Sequence, residues 1–336
     1  MPDEPVPLRV AAQQFDVPLE RLRKGANEKR LITEKPGFER LVRPSEVERF
    51  IRAGGRKPAP QPPAPVREGA PMGRIVAVAI LKGGTAKTTT TLNLGAALAE
   101  QGHRVLLIDT DPQSNLTTCC GLVRAPEPTL ATAMLNYIRN RAKTLEQTIV
   151  ETSLGTHVRL VPASLLLSRL ERELVHAPRR EYVLQELLTS VAPQYDVVLI
   201  DTPPSAGDLA TNALVAAHEV MIPVSPEPLA VDALAYSLED IAKIRETKLN
   251  PDLHIRGVII TQVDRRRMQH REAVEQIRES YGAEVRIFDT VIADSTRIVE
   301  SQLKQVSVLQ YDPKGPSAVA YRALADEVLH EWQPAT

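Results

Sequence analysis

From Gly73 onward, short unbroken apolar runs alternate with longer stretches in which apolar residues recur at helical spacing. The runs at 75–81, 104–109, 158–161, 196–201, 219–224, 256–261 and 285–292 are predicted as strands. They are continuously rich in Val, Ile and Leu rather than alternating with polar residues, as expected of parallel strands buried on both faces. The pattern therefore predicts an α/β fold: a doubly wound, mostly parallel sheet with helices on both sides. Ligands on such sheets bind at the carboxyl ends of the strands, so the residues just after each run are where chemistry is expected.

The N-terminal part follows a different rhythm. Leu8, Val10, Ala11, Ala12 and Phe15 predict a short amphipathic helix, Asp16-Val17-Pro18 a turn, and Leu19, Leu22 and Arg23 the start of a second helix. That second helix carries Arg21, Arg23 and Lys24, as a helix lying in a DNA groove would. Residues 29–43 hold two short apolar stretches around Lys35-Pro36-Gly37, which predict a hairpin or wing. Ser45 with Glu48 three residues on predicts a capping box opening a third helix. This layout resembles the winged helix-turn-helix head of excisionase- and MerR-like proteins, with Asp16 where a glycine is usual in the turn; a solvated protein-interaction module would carry the same charges. Residues 54–73 contain six prolines and no aromatic residue, so they predict a semi-extended linker. At ~3.1 Å per residue it could reach on the order of 60 Å. The expected organisation is a head at 1–53, a linker at 54–73 and a large α/β body at 74–332.

Charge sharpens this division. The whole chain of 336 residues has a formal net charge of −1, yet residues 1–67 carry 14 Lys/Arg against 9 Asp/Glu. A basic head on a mildly acidic body points to DNA contact by the head. The two cysteines, Cys119 and Cys120, are adjacent, which excludes a disulfide framework and any CxxC metal site. The seven histidines show no ligand spacing. The N-terminus lacks the pattern of a signal peptide and no apolar run reaches membrane-spanning length, so a cytoplasmic protein is expected.

The first run of the body leads into Lys82-Gly83-Gly84-Thr85-Ala86-Lys87-Thr88-Thr89 and then a helical pattern. Strand, glycine turn and helix start form the context in which backbone N–H groups wrap phosphates. Lys87 would supply a point charge and Thr88 a hydroxyl for Mg²⁺. The ordinary expression G-x-x-x-x-G-K-[ST] fails, because its glycines would fall on Leu81 and Ala86. After the second run comes Asp109-Thr110-Asp111, and after the fourth Asp201-Thr202-Pro203-Pro204. Carboxylates at strand ends opposite a phosphate loop can hold a hydrated Mg²⁺ and orient an attacking water.

With these residues in view, the segment LKGGTAKTTTTLNLGAALAEQGHRVLLIDTDPQSN resembles the deviant Walker A region of ParA-type partition ATPases in the ParA/MinD group. YDVVLIDTPPS resembles their Walker B motif, and the stretch ending in YDPKGPSAVAYRALADEVL their final segment, so the similarity spans roughly 74–330. The resemblance implies ATP/ADP and Mg²⁺ as ligands. It assigns phosphate contacts to Lys87 and the N–H groups of 83–88, Mg²⁺ to Thr88, Asp109 and Asp201, and the hydrolytic water to Asp111. Lys82 would reach across a nucleotide-sandwich dimer to the partner's phosphates, making hydrolysis depend on dimerisation. Adenine contacts would come from the Thr261-Gln262 strand end and the 292–296 loop. There Ala293-Asp294-Ser295 replaces the Pro-Arg-Asn or Pro-Arg-Asp usual in relatives.

The family further implies a homodimer on ATP binding, a ParB-like centromere-binding partner and a nucleoid-associated location. Nonspecific DNA binding would use phosphate contacts from Arg265, Arg266, Arg267, Arg271 and Arg297. The alternative is a nucleotide-switched transcriptional repressor with little turnover. A MinD-like membrane role is disfavoured by the acidic tail RALADEVLHEWQPAT, which lacks a lysine-rich face. Ala86 places a Cβ where relatives usually have glycine; at positive φ that costs about 1 kcal/mol.

Overall fold

The structure is a computed structural model that describes residues 5–15, 17, 22–24, 26, 31, 33, 41–52, 73–80, 82–227, 230–264, 266–330 and 332. Its contacts divide the chain into two units, residues 1–61 and 62–336. The linker expected at 54–73 lies almost wholly outside the described residues.

In the first unit, β1 (Val6–Pro7) pairs antiparallel with β2 (Leu41–Val42). Helix α1 spans Leu8–Gln14, residues 22–24 are helical, and α2 spans Pro44–Arg52. Leu8, Ala11, Val17, Leu22, Ala26, Leu31, Val42 and Val47 are buried together as one small core. Arg23 and Lys24 are exposed, as a basic outer face requires, whereas Arg21 lies outside the described residues. One expectation needs correction, and another lies mostly outside the described residues. Of the hairpin or wing expected at 29–43, only residues 31, 33 and 41–43 are described, and there Leu41-Val42 pairs with Val6-Pro7. The third helix starts at Pro44, with Arg43 O accepting from the amides of Glu46 and Val47, so Ser45 sits inside the first turn rather than capping it. Proline at the first helical position is favoured because its missing N–H is one the helix start does not need.

The second unit contains an eight-stranded sheet. Its strands are β3 (Arg74–Val78), β4 (Val105–Asp109), β5 (Val150–Glu151), β6 (Val158–Val161), β7 (Val197–Asp201), β8 (Glu219–Val224), β9 (His254–Val263) and β10 (Ile287–Ala293). Their order is β10-β9-β8-β3-β7-β4-β6-β5, and every pairing is parallel except β5 with β6. All seven expected strands are present; β5 is an addition, too short at two residues to leave a periodic signal.

The helices are α3 (Lys87–Glu100), α4 (Asn115–Cys119), α5 (Leu130–Asn140), α6 (Leu166–Leu174), α7 (Val183–Leu188), α8 (Asp208–Ala216), α9 (Ala230–Glu246), α10 (Met268–Tyr281), α11 (Thr296–Leu303), α12 (Val308–Tyr311) and α13 (Pro316–His330). Side-chain alternation along the strands makes two cores. Ile75, Ala77, Leu106, Ile108, Val198 and Ile200 pack with residues of α5 to α10. Val76, Val105, Leu107, Val197 and Leu199 pack with residues of α3, α4, α12 and α13. The continuous apolar runs thus serve both faces, as their lack of alternation requires. Helix α3 comes close to the sheet at Gly95, where a Cβ would stand 2.8 Å from Leu107 Cδ2.

The connection from β3 through α3 to β4 passes over the central strand β7. The carboxyl ends of β3, β7 and β4 consequently lie side by side, with Val78 in register with Asp201 and Asp201 with Asp109. Such a crossing point is where doubly wound sheets open a ligand crevice.

Candidate nucleotide site

Between β3 and α3 the chain turns through Gly84 at φ +76° and Ala86 at φ 64°, ψ 30°. Ala86 is therefore left-handed, and the alanine bears the Cβ cost noted above. Helix α3 begins immediately after it, so its first N–H groups face the concave side of the turn. Gly83 and Gly84 are exposed, and no atom lies within 4 Å of a Cβ built on Gly84. That open concavity suits an anion that needs backbone approach.

Lys87 is buried, and its Nζ donates to Lys82 O at 2.9 Å. Burial lowers its pKa, while the Asp201 and Asp111 carboxylates oppose that shift. Its ammonium thus closes the turn on itself and stands among acidic groups. The Lys82 side chain lies elsewhere, with Nζ 3.5 Å from Glu227 Oε2 on the segment after β8. Thr85 is tied down from behind, its carbonyl accepting from Thr261 Oγ1 at 3.2 Å.

Opposite the turn, Thr88 Oγ1 donates to Asp201 Oδ2 at 2.7 Å. Asp201 is fully buried, and its Oδ1 has no hydrogen-bond partner among the described residues. Burial first, and the neighbouring Asp109 carboxylate second, raise its pKa well above the ordinary value. Asp109 accepts from Thr117 N at 2.8 Å, Thr117 Oγ1 at 2.7 Å and Asp111 N at 3.1 Å. Burial nonetheless pushes it up to about 6. Asp111 accepts from Gln113 N at 2.9 Å.

Two buried carboxylates beside a threonine hydroxyl, one with an unpartnered oxygen, make an anionic all-oxygen donor set in want of a cation. This fits a hard, hydrated ion such as Mg²⁺, which takes one or two carboxylates and shares the rest of its shell with water and phosphate. Among the described residues no cluster of three or more His, Cys, Asp or Glu forms a closed metal cage, and this type of site needs none.

The structure thus brings Lys82, Gly83, Gly84, Thr85, Ala86, Lys87, Thr88, Asp109, Asp111 and Asp201 to one edge of the sheet, linked by hydrogen bonds and strand register. Thr89 belongs to the first turn of α3 and accepts from Gln302 Nε2 at 2.9 Å. Gln262 has φ 56° at the end of β9, and Asp294 N bonds Val263 O at 3.1 Å, so the Gln262 and Ala293-Asp294 strand ends are neighbours.

The arginines expected on DNA are more divided. Arg266 donates to Asp264 at 3.0 and 3.1 Å, and that contact helps pull Asp264 down to about 2. Arg267 lies 3.6 Å from the same carboxylate, and Arg297 pairs with Glu300 at 2.9 Å. Arg271 is exposed, and Arg265 lies outside the described residues. Cys119 and Cys120 are free thiols. Glu227, Thr117, Thr261 and Gln302 hold the site together although no local sequence pattern marks Glu227, Thr117 or Gln302. Thr261 is marked only through the family resemblance, as part of the Thr261-Gln262 strand end.

Among the described residues, no helix is long and apolar enough to cross a membrane. A family model described as an AAA domain matches residues 73–255. The chromosome partitioning protein ParA of Caulobacter vibrioides is 37% identical over 76% of this chain and 94% of its own length. The chromosome-partitioning ATPase Soj of Thermus thermophilus is 38% identical over 78% and 98%. The structure of cobyrinic acid a,c-diamide synthase from Mycobacterium smegmatis, with bound ADP and magnesium, is 34% identical with a TM-score of 0.66, covering 78% of this chain and 96% of that one. A glycine turn opening a helix, a buried carboxylate pair and this extent of likeness converge: the chain belongs to the ParA/Soj family of partition ATPases.

Proposed function

We propose that this protein is a Mg²⁺-dependent ATPase that partitions plasmid or chromosomal DNA by switching between a free state and an ATP-sandwich dimer. The observation that carries this reading is the separation of two lysines in one loop. Lys87 is buried and closes the loop on Lys82 O, while the Lys82 side chain is part-exposed and its Nζ lies at Glu227, outside that contact. A cation held off its own loop is available to the phosphates of a second copy, as an arginine finger is in trans.

Within one subunit, the loop amides and Lys87 would bind the phosphates, with Gln262, Ala293 and Asp294 beside the base. Thr88 and Asp201 would hold Mg²⁺, with Asp109 acting through its water shell. The metal supplies charge neutralisation at the phosphates when bound. Asp111 would accept a hydrogen bond from the attacking water and keep it in line. Basal turnover would be weak, because the second lysine arrives only on dimerisation.

The dimer would bind DNA nonspecifically through exposed arginines such as Arg271, and Arg266, Arg267 and Arg297 would have to exchange their carboxylate partners for phosphate. Release would follow hydrolysis stimulated by a ParB-like centromere-binding protein. The head supports a second, sequence-specific mode, since Arg23 and Lys24 are exposed on the helical segment that follows the turn. Read as a winged helix-turn-helix, it would repress the protein's own operon.

ATP turnover measured with and without DNA and partner tests the proposal. Stimulation by both supports segregation; operator footprinting with negligible turnover under all conditions would instead support the repressor. Removing residues 1–56 should abolish site-specific binding and spare ATP-dependent nonspecific binding.

A further inference from the structure

Helix α3 opens with four consecutive threonines, and their hydroxyls are used differently. Thr88 Oγ1 spends its proton on Asp201 Oδ2 at 2.7 Å. Thr91 Oγ1 spends its proton on the Lys87 carbonyl one turn back, at 3.0 Å, the usual fate of a threonine inside a helix. Thr89 does neither. Among the described residues its Oγ1 gives no hydrogen bond and receives one, from Gln302 Nε2 at 2.9 Å. Gln302 lies 213 positions away on α11, so this contact is tertiary rather than a by-product of helix geometry.

A hydroxyl that accepts from an amide turns its own proton away from that donor, into the remaining staggered directions. Thr89 is half-buried in the first turn of the helix whose N–H groups face the phosphate turn. Its backbone is pinned as well: Asn93 Nδ2 donates to Thr89 O at 2.8 Å, and Asn93 Oδ1 accepts from Val308 N at 2.8 Å. Two side-chain straps therefore tie the start of α3 to the segment carrying α11 and α12. The result is an O–H donor without an acceptor among the described residues, held in the first turn of the helix that follows the loop. A donor held in place before the anion arrives strengthens a charge-assisted hydrogen bond.

We infer that Gln302 is a positioning residue for nucleotide binding: by donating to Thr89 Oγ1 it commits the Thr89 hydroxyl to donate to the nucleotide's phosphates. This rests on the reading of the loop as a nucleotide site and adds a residue that acts through another. Gln302 itself touches no phosphate in this account.

Equilibrium binding of ATP and ADP to the full chain with Mg²⁺ provides the test. Gln302→Leu and Thr89→Val should each weaken both nucleotides roughly tenfold, the loss expected of one charge-assisted hydrogen bond. The double variant should be no weaker than either single one, since both remove the same bond. Gln302→Glu keeps the shape but offers an acceptor that captures the Thr89 proton, and it should weaken binding at least as much. Thr89→Ser keeps the hydroxyl and should retain affinity. Unchanged affinity in Gln302→Glu, or additive losses in the double variant, would overturn the inference. Failure of the wild-type chain to bind ATP at all would instead overturn the nucleotide reading itself.

Discussion

The two ends of strand β7 carry the same residue type in opposite circumstances. At its amino end Asp196 is buried and fully served: Arg104 donates from its backbone at 2.7 Å and from its guanidinium at 3.3 and 2.7 Å. Burial raises the Asp196 pKa, but those hydrogen bonds and the arginine charge outweigh it and leave the carboxyl below its ordinary value. At the carboxyl end Asp201 is equally buried, has one oxygen unpartnered, and is held well above its ordinary value by burial and by Asp109. The neighbouring strands repeat the contrast. Glu219, at the amino end of β8, receives Trp332 Nε1 at 3.1 Å, lies 3.5 Å from Arg256 Nε and pairs with Arg74. At one edge of the sheet the carboxylates are finished by arginines; at the other, Asp201 is left with an oxygen that has no hydrogen-bond partner among the described residues. That asymmetry, more than the presence of carboxylates, is what supports placing the proposed nucleotide site at the carboxyl edge.

The comparison can be broken by substitution. Lys87→Ala should have the largest effect, removing the buried ammonium of the phosphate loop and lowering ATP affinity by roughly a hundredfold or more, as seen by equilibrium binding. Arg104→Ala at the finished edge should leave Asp196 buried and unpaired, costing about 3–5 kcal/mol in denaturant unfolding. Nucleotide affinity of the molecules that remain folded should be unaltered.

Asp201→Asn should act in the opposite sense on stability. Replacing a buried carboxyl that must stay protonated above its ordinary pKa should raise the melting temperature of the ligand-free protein by roughly 2–4 °C per kcal/mol gained, while abolishing turnover. Its pH dependence follows from the raised pKa. Folded wild type keeps a proton that the unfolded chain releases above ~4, so this group's contribution is present at low pH and lost as pH rises through the folded value. The stability gap between Asp201→Asn and wild type should therefore open as pH rises from about 4. Asp196 runs the other way: its contribution is present above ~4 and lost as pH falls through its depressed value. A gap that stayed flat with pH would contradict the asymmetry.

Ala86→Gly should produce the smallest change. Relief of a left-handed Cβ is worth about 1 kcal/mol and is partly offset by the unfolded-state entropy of glycine, so unfolding should show a gain of at most ~1 kcal/mol.

Much of this molecule was legible in its sequence, for reasons that the same strands show. Val197–Asp201 and its neighbours are continuous apolar runs because both faces are covered, and Asp109 and Asp201 follow directly from strand ends. The left-handed turn at Ala86 was foreseeable from the glycine that relatives usually carry there. What escaped was contact across the chain. Thr117 reaches Asp109 from the first turn of the following helix, and Gln302 meets Thr89 only once α11 packs near α3. Ser45 misled because a proline just before it could itself begin the helix. The charge of Arg266 and Arg267 looked free in sequence, whereas Asp264, two and three positions earlier, holds both.

The central claim is that nucleotide completes an unfinished edge and joins two copies through Lys82. Sedimentation of the full chain with Mg²⁺ and a non-hydrolysable ATP analogue tests it most directly. Wild type should sediment as a dimer with the analogue and as a monomer without nucleotide, and Lys82→Ala should retain nucleotide binding with hydrolysis blocked. A wild-type chain that binds the analogue and sediments as a monomer at every concentration would contradict it.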